Sequence, residues 1–147
     1  MKAGWRYGGS LLIKYPLSAG MILKRQFGGF VVGVNGYLDE AKADSTNIVG
    51  WLEWNADKTS SATPGVDYGE VNISANAVYE IPVDDTTTLA DTDRMTECDL
   101  IIVNPAKQCA NPDASAIRIL EIVDVDTKAG TVFVRLNPRI RALTAAS

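Results

Sequence analysis

The sequence contains no histidine. A Ser-His-Asp triad, a Cys-His dyad and a His-ligated zinc site therefore cannot be built within the chain. Acid is missing from the first 38 residues, which carry Lys2, Arg6, Lys14, Lys24 and Arg25. Long apolar runs are missing too. No stretch approaches the roughly 18 apolar residues that a membrane helix requires. The leading run, Leu11-Leu12-Ile13, is interrupted by Lys14 and Pro16, so it does not read as a secretory signal. These features predict a soluble, intracellular chain that does not engage membranes. Cysteine is scarce: only Cys98 and Cys109 are present, eleven positions apart. Reduced thiols are expected in such a chain. Position alone leaves a disulfide across a turn open. A metal site on two cysteines would lack histidine partners.

What is present is charge sorted along the chain. Residues 39–99 hold fourteen acids against Lys42, Lys58 and Arg94. Residues 100–147 hold six bases and four acids, and the whole 147-residue chain carries a formal charge of −4. A basic front, an acidic middle and a mildly basic end make a polarised molecule. Net acidity argues against nucleic-acid binding, because phosphate repels it. The length suits one domain able to bury its own core.

The local pattern is that of strands. Gly20 to Lys24, Gly29 to Val34 and Asn47 to Trp54 are strand candidates rich in β-branched and aromatic residues. Asn35-Gly36 is a turn signal. Gly50 suggests a bulge or a close approach of backbone. Asn55 to Gly69 reads as a long polar loop, a length that usually carries function or mobility. Gly69 to Ser74 alternates, and Ala77 to Val83 follows. There Tyr79, Ile81 and Val83 share one face, and Pro82 must sit at a strand edge or end. The acidic loop from Asp84 has room for one helical turn before Cys98. Asp99 to Asn104 reads as a buried strand, and Asn104-Pro105 and Asn111-Pro112 bracket a loop. Ala116 to Asp126 and Thr131 to Asn137, joined across Gly130, form the clearest signal, a β-hairpin. Roughly eight strands and no long helix predict a single all-β domain, a barrel or a sandwich.

The candidate chemistry is thin. Asp84-Asp85, Asp91 with Asp93, and Asp124 with Asp126 could each hold metal. In the last, Gly130 falls at the seventh position where a calcium loop wants glycine at the sixth, and an ordinary turn is the simpler reading. With eighteen acids some carboxylate pair always exists, so pairing carries little weight for hydrolysis. No cofactor is implied. Trp51 and Trp54 lie on opposite strand faces, so one packs inside while the other could hold a sugar or meet a subunit.

The first fourteen residues stand out. Gly4, Gly8 and Gly9 weaken regular structure. Trp5, Tyr7, Leu11 and Leu12 would be apolar anchors on a partner, with Arg6 and Lys14 pairing with its acidic groups, and Trp, Tyr and Arg are the residue types that carry interface energy. They predict an extended N-terminal arm over residues 1–14, ahead of a β-rich body (15–138) and a C-terminal tail (139–147). Deleting the arm is expected to leave a folded body that has lost its partner.

Ala19-Gly20-Met-Ile-Leu, Gly29-Phe-Val-Val, Ile48-Val-Gly-Trp-Leu and Val78-Tyr-Glu-Ile-Pro-Val occur in an order that resembles the core of tailed-bacteriophage head decoration (cement) proteins. The closing Asp124-Val-Asp-Thr-Lys-Ala-Gly-Thr-Val-Phe-Val-Arg-Leu-Asn-Pro looks similar to the terminal hairpin of such proteins. The resemblance implies a β-tulip-like body and no enzymatic activity. It implies a homotrimer on the exterior of a virion capsid, assembled in the host cytoplasm. The major capsid protein would be the partner, with capsomers bridged through chain termini. The runner-up is a β-sandwich carbohydrate- or receptor-binding module of a phage tail or cell surface. A small carboxylate or metal enzyme ranks last.

Overall fold

A computed structural model of the chain describes residues 4–21, 28–43, 45–53, 59–84, 88–103 and 107–138. It is all-β, apart from one 3-10 turn at Asp91–Asp93 among the described residues. The strands are β1 (Gly4–Tyr7), β2 (Leu12–Pro16), β3 (Gly28–Val34), β4 (Tyr37–Glu40), β5 (Ile48–Glu53), β6 (Tyr68–Asn72), β7 (Val78–Pro82), β8 (Glu97–Val103), β9 (Lys107–Asn111), β10 (Leu120–Asp126) and β11 (Thr131–Leu136). One sheet runs β1-β7-β11-β10-β8-β9 and the other β2-β6-β5-β3-β4, and all ladders are antiparallel. The sheets stack as a sandwich. Single bridges, Leu17 to Leu38 and Val83 to Ala110, draw sheet edges towards one another. One bridge is not a ladder, so neither sheet closes into a barrel.

The strand pattern explains the layering. In β7, Tyr79 and Ile81 enter the core between the sheets with Val132, Val134 and Leu136 of β11. Phe30, Val32 and Trp51 meet them from the five-stranded sheet. The opposite face of that sheet is also covered. Val31, Leu52 and Val71 pack there with Leu17, Met21 and Leu38 in a second core. A strand buried on both faces reads as a continuous apolar run, which is why β3 shows no alternation. Asn35 and Gly36 both take positive φ (51° and 86°) between β3 and β4. This is the backbone a two-residue hairpin needs. Gly50 answers a close approach, since a Cβ there would overlap the Asn72 carbonyl oxygen. Pro82 ends β7, where its missing N–H breaks no ladder.

Several sequence expectations change. The boundary at residue 14 marks no break: residues 4–16 supply β1 to one sheet and β2 to the other. The stretch between the two Asn-Pro dipeptides is not only loop, since Lys107–Asn111 pairs with β8 as an edge strand. The last hairpin begins at Leu120 rather than Ala116. The strand candidate from Gly20 to Lys24 falls mostly outside the described residues, as does the tail from 139 to 147. No helix among the described residues is long and apolar enough to cross a membrane.

Candidate partner-binding surface

The six N-terminal residues singled out by sequence lie on two strands and their link. Trp5 is 41% exposed, Tyr7 48%, Leu11 55% and Leu12 53%. These values are high for side chains of that kind, and the backbone beneath them is fixed. β1 pairs with β7, with an irregularity between Trp5 and Tyr7, and β2 pairs with β6 over Leu12 to Pro16. Asn72 pins the link between them. Its Oδ1 accepts from the Leu11 N–H at 3.1 Å and from the Ser74 N–H at 3.1 Å. The Ile73 N–H donates to the Leu11 carbonyl at 2.9 Å. Gly8, at φ 87°, passes so close to residue 76 that a Cβ would overlap the Asn76 carbonyl oxygen. The glycines that argued for a loose arm instead allow the chain to cross from one sheet to the other.

Arg6 and Lys14 differ in their surroundings. The Arg6 guanidinium meets Glu80 at 2.9 Å, and the other oxygen of that buried carboxylate accepts from the Thr131 hydroxyl at 2.6 Å. Arg6 thereby ties β1 to β7 and β11. Lys14 is exposed and stands directly across the ladder from exposed Glu70.

The remaining candidates take structural places. Trp51 is 2% exposed, stacks on Tyr79 with centroids 5.1 Å apart and meets Phe30 edge-on at 4.9 Å. It is core and offers no platform to a sugar. Trp54 lies outside the described residues. The Asp126 carboxylate accepts from the Lys128 and Ala129 N–H groups at 3.1 and 3.0 Å, so it caps the hairpin turn. Asp124 holds Arg94 at 2.7 Å. That hydrogen bond keeps the Asp124 carboxyl below its ordinary range and raises the Arg94 guanidinium. Asp93 accepts from the Ala90 N–H at 2.9 Å, and Asp91 lies 3.7 Å from Arg94. Asp85 lies outside the described residues, and no group of three metal-ligating side chains forms among the described ones.

Cys98 and Cys109 are free and buried. Cys109 faces Ile101 across the β8–β9 ladder, three positions from Cys98. About 10 Å of strand separates them, beyond the reach of a disulfide. Burial pushes the Cys98 thiol up to about 12.

Sequence reasoning missed two buried polar clamps. Gln108 reaches from β9 to the backbone of Phe30 and Ala41. The Asp99 carboxylate accepts from the N–H groups of Ala116, Ile117 and Arg118 at 3.1, 2.8 and 2.7 Å, which holds the approach to β10. A lone Gln or Asp carries no periodic signal. Its partners are backbone groups far away in sequence.

No protein-family model, curated protein or solved structure matches this chain.

Proposed function

We propose that this protein is a non-enzymatic decoration protein that binds the outer surface of a tailed-phage capsid and bridges capsomers. The observation that carries the reading is the set of exposed apolar groups near the N-terminus, Trp5, Tyr7 and Leu12 on paired strands and Leu11 on the link between them. Aromatic and large aliphatic side chains on a fixed frame bind with little ordering cost. A capsid presents many equivalent sites, so modest contacts add up through repetition. The major capsid protein is the partner in this reading.

The test is to purify phage particles from cells that make this chain and to measure its copy number and position by mass spectrometry and electron microscopy. Many copies spread over the head are expected. A few copies confined to the tail, or none on particles, would overturn the proposal. Trp5→Ala with Tyr7→Ala is expected to lower occupancy on the head while the protein remains folded.

A further inference from the structure

The face of the five-stranded sheet that contributes Phe30, Val32 and Trp51 to the core continues over β6 and β2. There the neighbouring positions Leu12, Lys14, Tyr68 and Glu70 are all exposed. Side chains directly opposite in an antiparallel ladder share one face, and successive ones alternate. Leu12, Lys14 and Pro16 therefore lie beside Asn72, Glu70 and Tyr68 on one side of the sheet. The other side of the same strands packs inward, with Tyr15 and Val71 in or against the second core.

Tyr68 is 57% exposed and Leu12 53%. Between these two apolar ends sit one cation and one anion, Lys14 and Glu70. No ion pair joins them within the chain, and neither makes another charged contact among the described residues. The charges that are segregated along the sequence meet here, so the patch is neutral on a molecule that carries −4 overall.

We infer that this β2–β6 face is a two-fold contact between copies of the chain. A two-fold axis parallel to the strands exchanges β2 for β6. It lays Lys14 over the partner's Glu70, Glu70 over the partner's Lys14, and Pro16 against the partner's Tyr68. Such an isologous patch must be complementary to itself, and one opposite-charge pair flanked by apolar groups meets that condition. A uniformly acidic or basic partner would leave one of the two charges facing its own sign.

The size of the patch sets the strength. Two five-residue strands cover about 17 by 10 Å. That is well below the roughly 800 Å² per partner of a standard interface. The contact is therefore a weak one, formed at high local concentration, and it does not depend on the capsid reading.

Sedimentation velocity of the chain alone, from about 10 μM to about 1 mM, tests this in the range proper to small interfaces. A monomer–dimer equilibrium is expected. Lys14→Glu and Glu70→Lys, each confirmed as folded by circular dichroism, should each weaken it at least about tenfold, because like charges then face each other. The double variant K14E/E70K restores both pairs across the axis and should return to within about threefold of the parent. Tyr68→Ala should also weaken it. A monomer throughout that range overturns the inference. So does a dimer indifferent to all four variants, or a three-fold assembly. Each of those results leaves the particle experiment above untouched.

Discussion

The side-chain amide of Gln108 serves the backbone of Phe30 as a neighbouring strand would. Its Oε1 accepts from the Phe30 N–H at 2.7 Å and its Nε2 donates to the Phe30 carbonyl at 2.9 Å. The same Nε2 lies 3.1 Å from the Ala41 carbonyl, and the residue is buried. β9 and β3 belong to different sheets, so this one amide joins the two layers. Gln108→Leu would leave buried backbone groups without partners, at about 1–3 kcal/mol for each unsatisfied group. A loss of about 3 kcal/mol is expected, read as a lower urea midpoint with an unchanged slope.

Asp99→Ala removes the acceptor for three backbone N–H groups. The expected cost is again about 3 kcal/mol, on the same ground. Because the effect is local, amide exchange at Ile117 and Arg118 should accelerate more than exchange in β11. Equal acceleration everywhere would show that the clamp carries no local role.

The Cys98 thiol, pushed up to about 12 by burial, should resist thiol reagents in the folded state. Compared with an ordinary thiol near 9, its thiolate fraction at pH 8 falls about a thousandfold. Ellman's reagent at pH 8 should label it only after denaturant is added. Since the folded value lies above the unfolded one, the neutral thiol's contribution is complete below about 9 and is lost as pH rises towards 12. Stability should decline over that alkaline window, and Cys98→Ala should flatten the decline.

Arg94→Ala should raise the titration midpoint of Asp124 in an NMR pH series, because the guanidinium hydrogen bond is the first cause of its lowered value. In the parent protein, whatever this pair contributes is present above the unfolded carboxylate value and fades as pH falls through the folded one.

Removing residues 1–14 takes away β1, the Arg6–Glu80 pair and most of β2. The truncated chain is expected to melt earlier and to bare the edges of β6 and β7, against the sequence expectation of an intact body. A truncated protein with the parent's melting curve would restore the arm reading.

The final hairpin was legible because both its strands are β-rich and Gly130, at φ 69°, closes the turn between them. The side assignment of Tyr79 and Ile81 was legible from alternation alone. β1 was not, because Gly4 and Gly8 lower local strand preference and the pairing with β7 lies some seventy residues away. β9 was hidden for a related reason. Gln, Cys, Ala and Asn favour no strand by themselves, and the pairing with β8 overrides that weakness. Of the candidate surface, the residue types could be read from sequence. The approach of Lys14 to Glu70 could not, since it depends on register.

The double burial of β3 has a consequence for how the molecule comes apart. Phe30 and Val32 point into one core and Val31 into the other. Because both cores draw side chains from this one strand, and Trp51 and Leu52 of β5 divide in the same way, loss of either core is expected to loosen the other. The two layers are therefore expected to unfold as one unit. Calorimetry should record a single transition whose van't Hoff and calorimetric enthalpies agree.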